Sequence, residues 1–355
     1  MLSHKNINAD LCAVVIDNLH SYPKLSSNNK LRKVFTSLYH RKFEGVDRYS
    51  WPNALLAISL ENYYNSVKDS NLLNEIEKYA DNYIKSKTKI NAIDNTMNGY
   101  TMLFLCELGK NDKYKDAILK LKQYLYSHDK DKYGSLIYRD EDIYVDTIGM
   151  ICPFLSRYAK AFNDDTGREL AVLQIRNFMD YGMDEKSGLP YHGYNSKSGF
   201  KKGIIGWGRG TGWLLLGVID SLLYLDENDE DYAYLARTMQ GLVDTVMQHQ
   251  LESGFFTWQV GASSGVYDTS ATAMILYAVQ RALSLGIIDS AYHHNVEAGV
   301  GALVDCFKKD AGITKCSGEC GGFGVYPQRY GVYPWSTAPT FSLLSLIKDC
   351  YINNS

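Results

Sequence analysis

Two aspartates in this sequence stand where they could share acid–base chemistry. Asp94 lies in AIDNTMNGY (92–100) and Asp146 lies in DIYVDTIGM (142–150), and each comes just before or within the start of an apolar segment with helical spacing. If the two helices are parallel neighbours, both carboxylates lie at the same end of the fold. Paired carboxylates, one a proton donor and the other ionised, are the usual apparatus for cleaving glycosidic bonds. The pair therefore indicates a glycosidase-type site.

Asp146 could instead have a purely structural role, because aspartate is a preferred N-cap and a negative charge is favoured at a helix N-terminus. Three other segments offer the same kind of capping residue: Asp94, Asp268 and Ser336. The apolar surroundings of Asp146, Tyr144 and Val145, would raise its pKa by desolvation, whereas the helix N-terminus favours the anion. Both roles for Asp146 are therefore open at this point.

The string GWGRGTGW (206–213) is the most specific in the chain. Its glycines allow the backbone to come close to a ligand, and Arg209 can hold a carboxylate through two parallel hydrogen bonds. Trp207 and Trp213 offer ring faces. The remaining candidates for sugar contact, found in similar segments, are one histidine and three aromatic residues: His192, Trp51, Tyr144 and Trp335. Helix caps need no such neighbours, so these segments favour a sugar-binding site.

Apolar residues recur mostly at helical spacing, and strands with alternating polarity are almost absent. The pattern predicts twelve helices, with these approximate bounds: 10–20, 51–66, 71–87, 95–109, 112–126, 145–162, 167–181, 210–226, 229–249, 267–285, 290–308 and 336–350. Six of them are more apolar and follow Gly- and aromatic-rich segments. Helices apolar on all sides must be buried. The alternation predicts a single all-α domain over residues 1–355, an (α/α)6 barrel of six helical hairpins, with parallel inner helices whose N-termini share one rim.

Composition limits the function classes. The chain has 355 residues and a net charge of −3 with no basic block, which argues against nucleic-acid binding. The longest apolar run, WLLLGVIDSLLYL, is interrupted by Asp220 and is too short to span a bilayer. The sequence shows no secretion signal, and seven scattered cysteines fit reduced thiols, so we expect a cytoplasmic protein. Cys316 and Cys320 lack a second ligand pair, so we expect neither a metal nor a cofactor. Oligomeric state is not specified.

Four motifs together resemble the unsaturated rhamnogalacturonyl hydrolases of glycoside hydrolase family 105, with the unsaturated glucuronyl hydrolases of family 88 as more distant relatives. The motifs are IDNTMNGYTMLFLCELGKNDKYKDA, YVDTIGMICPFLSRYAKAFNDDTG, GLPYHGY followed by GWGRGTGW, and SGVYDTSATAMILYAVQRAL. Their order and spacing are specific, and the resemblance extends from about residue 45 to residue 345. The family has the (α/α)6 fold, which agrees with the helix pattern.

The resemblance implies a hydrolase that removes a terminal Δ4,5-unsaturated uronic acid from lyase-generated oligosaccharides. It implies that Asp146 is the general acid/base, that Asp94 contacts sugar hydroxyls, and that His192, Arg209 and Trp213 bind the substrate. The implied reaction is protonation at C4 and addition of water at C5, without a covalent glycosyl intermediate. The chain departs from the family at Thr211 and Tyr144, in the segment before Asp146, and in CSGECGGFGVYPQRYGVYPWSTAP. These departures leave the sugar next to the uronate open.

Two alternatives use the same fold. Sugar 2-epimerases place paired histidines at the rim, whereas here only His192 lies in a rim-like segment. A non-catalytic carbohydrate-binding or polysaccharide-assembly accessory protein could also keep the barrel, because fold does not fix function. Only a hydrolase would remove the conjugated double bond of an unsaturated uronate.

Overall fold

The computed structural model describes residues 4–22 and 48–347. Within them lie twelve α-helices: α1 His4–Ser21, α2 Trp51–Val67, α3 Ser70–Ser86, α4 Asn98–Glu107, α5 Asn111–Ser127, α6 Val145–Phe162, α7 Asp165–Tyr181, α8 Gly208–Leu222, α9 Glu230–Met247, α10 Thr269–Ser284, α11 His293–Asp305 and α12 Pro334–Leu346. Short 3-10 helices, Ile93–Met97 and Ser290–Tyr292, precede α4 and α11. Each predicted helix overlaps one of the twelve, and the end of the predicted helix 336–350 lies outside the described residues.

The even-numbered helices α2 to α12 form a closed inner ring. Each contacts the next in chain order, and α12 returns to contact α2. The odd-numbered helices pack outside this ring, α1 against α2 and α12, and α7 against α6. The predicted (α/α)6 barrel is therefore confirmed.

Burial explains which helices are inside. Every residue of α8, GRGTGWLLLGVIDSL, is buried, including the glycines that let neighbouring helices approach. Gly217, for example, is so close to α6 that a Cβ there would lie 2.6 Å from the Ile148 backbone. The outer helix α3 instead buries one stripe at helical spacing: Leu72, Ile76, Tyr79, Ala80 and Tyr83. The inner helices are thus buried over most of their length, whereas the outer helix α3 buries a single face.

Short strands join the loops at the N-terminal end of the inner helices. The strands are β1 Asp142–Tyr144, β2 Gly193–Asn195, β3 Lys201–Lys202, β4 Phe307–Lys308, β5 Gly312–Ile313, β6 Cys316–Ser317 and β7 Tyr330–Gly331. β1, β2 and β3 form an antiparallel sheet in which Tyr144 is opposite Gly193. Gly193 is needed there, because a Cβ would lie 2.1 Å from the Ile143 carbonyl oxygen. This pairing places the start of α6 beside the loop that contains His192.

The other end of the barrel contains a buried ion cluster. Arg157, near the end of α6, donates to Glu61 at 2.6 Å and to both oxygens of Glu107 at 2.9 and 2.6 Å. Its guanidinium also lies 4.4 Å from the centre of the Tyr100 ring. Burial raises the pKa of Glu61 to about 7, although the Arg157 charge lowers it. Arg157 is eleven residues beyond Asp146, or about 16 Å along the helix, so this cluster is remote from the catalytic candidates.

No helix in residues 4–22 and 48–347 combines the length and the apolar character needed to cross a membrane.

Candidate active site

The loops that precede the inner helices enclose an open cavity of about 650 Å³. Its lining combines acidic, basic, aromatic and small residues: Trp51, Asp94, Tyr138, Arg139, Tyr144, Asp146, Met150, His192, Trp207, Arg209, Glu319, Cys320, Gly321 and Gly322. Asp94 and Asp146 therefore share one cavity, as their positions at the starts of successive inner segments predict.

Seven of the nine predicted site residues line this cavity, and Trp213 and Trp335 do not. Both are buried behind it, with 1% of their surface exposed. Their rings lie 5.7 and 5.1 Å from the ring of Trp51, which does line the cavity. Trp335 also donates its Nε1 proton to the Ser317 carbonyl at 2.9 Å. These two indoles thus pack against a ring that lines the cavity and do not line it themselves.

Asp146 is not the cap of its helix. The N-cap position of α6 is Tyr144, no side chain caps the helix, and Asp146 is the second helical residue. By contrast, Asp268 is an N-cap, since its side chain accepts from the Ser270 amide at 2.9 Å. Of these two candidate capping residues, Asp268 therefore caps its helix and Asp146 does not. The Asp146 carboxylate instead lines the cavity and contacts His192, with Oδ2 3.1 Å from Nε2.

His192 connects Asp146 to a third residue, Tyr326. The Tyr326 hydroxyl accepts from the Ile204 amide at 3.2 Å and lies 2.7 Å from His192 Nδ1. Burial raises the pKa of Tyr326, so the hydroxyl keeps its proton. When Nδ1 accepts the Tyr326 proton, Nε2 carries the ring proton and donates it to Asp146 Oδ2. In the described residues Asp146 Oδ1 has no hydrogen bond, so this oxygen is available to a reactant.

Arg209 lies at the start of α8 and is 2% exposed. Its Nη1 donates to the Ser317 hydroxyl at 2.8 Å, and its Nη2 donates to the Gly318 carbonyl at 2.9 Å. Nε has no hydrogen bond within the described part of the chain. The guanidinium lies 4.9 Å from the centre of the Trp207 ring. Arg209 thus anchors the segment that follows β6 and retains donor capacity along its Nε edge.

Sequence reasoning missed several residues of the site. Tyr138 and Arg139 precede β1, and Glu319 and Cys320 belong to the segment between β6 and β7. Partial desolvation by the cavity walls raises the pKa of Glu319, and the charge of Arg209 lowers it. Burial also raises the pKa of Cys320 to about 11, so its thiol stays protonated at neutral pH. The string CSGEC, followed by GGFG, places an acidic residue beside a glycine-rich segment. This was the signal from which Glu319 could have been found.

The described residues contain no cluster of three or more His, Cys, Asp or Glu side chains placed to bind one metal ion.

A helical barrel with paired carboxylates in a cavity lined by aromatic residues is an arrangement used by glycoside hydrolases. The chain belongs to Glycosyl Hydrolase Family 88, whose family model matches residues 26–343. It is 20% identical over 298 residues to the unsaturated rhamnogalacturonyl hydrolase YesR of Bacillus subtilis strain 168, covering 81% of this chain and 85% of that protein. The resemblance found in the motifs is therefore confirmed, and the chain is a glycoside hydrolase.

Solved structures give the same fold at low sequence identity. A possible member of the GH105 family from Klebsiella pneumoniae superposes with a TM-score of 0.85 at 17% identity, covering 99% of this chain and 94% of that one. The unsaturated glucuronyl hydrolase of Bacillus sp. GL1, responsible for glycosaminoglycan degradation, superposes with a TM-score of 0.70 at 15% identity, covering 96% of each chain.

Proposed function

We propose that this protein removes a terminal Δ4,5-unsaturated uronic acid from oligosaccharides produced by polysaccharide lyases. The main support is the geometry of Asp146, which is held through Oδ2 by His192 and has Oδ1 available within a cavity that also contains Arg209. The names of the YesR relative and of the Bacillus sp. GL1 structure describe enzymes that act on unsaturated uronates, in agreement with this proposal.

The proposed chemistry starts at the double bond of the uronate. Protonated Asp146 transfers its proton to C4, and positive charge develops at C5 and the ring oxygen. Water then adds at C5 and gives its proton to the Asp146 carboxylate, which restores the acid. The resulting C5 hemiketal opens to a ketone, and the hemiacetal left at C1 releases the rest of the chain as an alcohol. One carboxyl group thus serves as acid and then as base.

Two further residues position the substrate in this proposal. Arg209 binds the uronate carboxylate through its Nε edge, because a guanidinium and a carboxylate match in planar geometry. Asp94, which lines the same cavity, accepts hydrogen bonds from ring hydroxyls. Holding the alkene, the acid and water in one geometry lowers the barrier by several kcal/mol. The reacting ring therefore occupies the deeper part of the cavity.

Ultraviolet absorbance tests the proposed function directly. The conjugated C4=C5 bond of an unsaturated disaccharide absorbs, and its hydration removes that absorbance. We expect the purified protein to bleach lyase-generated disaccharides catalytically. Unchanged absorbance across a panel of unsaturated disaccharides from glucuronate-containing and galacturonate-containing polysaccharides would contradict the proposal. A sugar epimerase or a non-catalytic binding protein would then be the remaining alternatives.

The contact between Tyr326 and His192 predicts a moderate effect on turnover. Tyr326→Phe removes the donor to Nδ1, so the Nε2–H tautomer facing Asp146 is no longer fixed. A neutral hydrogen bond contributes about 1 kcal/mol, so we expect kcat to fall roughly fivefold to tenfold, with little change in KM. The measurement is the pH profile of kcat on an unsaturated disaccharide, and we expect its shape to change.

Tyr330→Phe is the matched control for Tyr326→Phe. The Tyr330 hydroxyl lies in the same segment but donates to Gln328 at 3.0 Å and does not reach His192. We expect wild-type kinetics from this variant. Equal kinetics for both variants would show that the Tyr326 hydroxyl does not position His192.

A further inference from the structure

The cavity has a buried floor and an exposed rim. His192, Trp207 and Arg209 are each 2% exposed and form the floor. Arg139 and Glu319 line the same cavity but are exposed to solvent, and we call these two residues the rim pair. On the proposed function, a terminal uronate that brings its alkene to Asp146 occupies the floor. The sugar attached to it must then lie at the rim, so the rim pair faces that second sugar.

Arg139 is a cation without a partner in the described chain. It lies in the tight turn before β1, where Arg139 and Asp142 exchange backbone hydrogen bonds. Its guanidinium forms no hydrogen bond or ion pair with any described residue. Of the acids in this turn, Glu141 pairs with Lys197, Asp142 accepts from Lys202 at 2.7 Å, and Asp140 forms no ion pair with Arg139 in the described residues. The five N–H donors of Arg139 are therefore available at the cavity.

Glu319 does not balance this charge. No ion pair joins the two members of the rim pair in the described residues, and the cation that lowers the pKa of Glu319 is Arg209. The cavity thus has two guanidinium groups with different surroundings. Arg209 is buried and bonded to the segment after β6, whereas Arg139 is exposed and unbonded.

Arg139 lies close to the start of the helix that carries the catalytic candidate. Its Nη1 and the Tyr144 hydroxyl both approach Gly322, where a Cβ would lie 3.6 and 3.3 Å from them. The Tyr144 ring stacks on Phe323 with a centroid distance of 4.1 Å and an interplanar angle of 9°. Tyr144 directly precedes α6, which begins at Val145 and carries Asp146. Arg139 therefore lies on the wall that leads outward from the reacting carboxylate.

We propose that Arg139 binds a second acidic group, a sulfate or a carboxylate, on the sugar attached to the unsaturated uronate. In this proposal Arg209 binds the carboxylate of the terminal uronate, and Arg139 binds the acidic group of the next sugar. The guanidinium plane matches either oxyanion through two hydrogen bonds. The substrate class is then a lyase product with acidic groups on two successive sugars, and Arg139 is a specificity-determining residue.

Matched pairs of unsaturated disaccharides test this inference. One pair differs only by a sulfate ester on the second sugar, and the other has a second uronate either free or as its methyl ester. We expect the wild-type protein to prefer the anionic member of at least one pair by about tenfold or more in kcat/KM. Arg139→Gln should abolish this preference, because it lowers kcat/KM on the anionic member far more than on the neutral member. The pair that shows the preference identifies the acidic group.

Two control variants separate binding from general charge effects. Arg139→Lys keeps a positive charge and should retain part of the preference. Lys197→Gln removes an equal charge beside the same turn but outside the cavity, and it should keep the full preference. A wild-type protein without preference in either pair, or an Arg139→Gln protein that loses activity equally on both members, would overturn the inference.

The same substrates distinguish a failure of this inference from a failure of the proposed function. Turnover of the neutral members tests the hydrolase proposal alone, because they lack the second acidic group. If no member is turned over, calorimetric titration of the wild-type and Arg139→Gln proteins with each pair still decides the role of Arg139. Tighter binding of an anionic member, lost in Arg139→Gln, would support it, and equal binding would refute it.

Discussion

Asp146→Asn is expected to lower kcat on unsaturated disaccharides by roughly a thousandfold or more, in line with the loss of general acid–base catalysis. The amide cannot deliver a proton to C4 or accept one from water. It has nearly the same shape, and its oxygen can still accept from His192. Because no side chain caps α6, the substitution leaves the helix start intact. The measurements are kcat by loss of absorbance, thermal unfolding, and disaccharide binding by calorimetry.

Asp140→Asn is the matched control for the catalytic variant. It makes the same chemical change six residues away, at an exposed turn position that does not line the cavity. Its φ of 55° is tolerated by Asn at least as well as by Asp. We expect wild-type kcat from this control. If Asp146→Asn kept activity within tenfold of wild type while folding normally, another residue would have to donate the proton.

Arg157→Met is expected to have the largest effect on stability, with a loss of about 3–5 kcal/mol in the free energy of unfolding. Arg157 and Glu61 are almost fully buried, with 3% and 4% of their side chains exposed. Removing the guanidinium leaves the Glu61 carboxyl buried without its opposite charge and with fewer hydrogen bonds. The measurements are the urea midpoint and Tm at neutral pH.

Arg176→Met provides the comparison, because Arg176 pairs with Asp231 at 3.1 Å while 41% of its side chain is exposed. We expect a cost of about 1 kcal/mol or less for this surface ion pair. Adding Glu61→Gln to Arg157→Met should recover part of the lost stability, since the buried charge is then absent. Similar costs for the two arginine variants would show that the buried cluster does not stabilise the barrel.

The helices of the barrel could be predicted from the sequence because apolar residues recur at helical spacing along each one. Most residues of each inner helix are buried, and α3 has its apolar residues in one stripe. The location of Asp94 and Asp146 at the same end of the barrel could be predicted from the same pattern, since parallel inner helices bring their N-termini together. Such features depend on residues close in sequence, where periodicity is informative.

The surroundings of Asp146 could not be predicted in this way. His192 and Tyr326 are 134 positions apart, and only the folded chain brings their side chains to 2.7 Å. The roles of the tryptophans could not be predicted for a different reason. Trp207 lines the cavity and Trp213 lies behind its wall, although both belong to GWGRGTGW. Spacing along a helix start does not say which side chains face the cavity, so the sequence could not separate Trp207 from Trp213.

The segment from Cys316 to Tyr330 is fixed at one end and open at the other. Ser317 and Gly318 are bonded to Arg209, and Trp335 holds the Ser317 carbonyl. Residues 319–325 extend beyond these anchors to the mouth of the cavity and include three glycines. Directed changes at the glycines of this tip can therefore alter which oligosaccharides enter the cavity, whereas Phe323, which stacks on Tyr144 and packs against His192, has to be kept. The width of the entrance can thus be adjusted separately from the floor of the cavity.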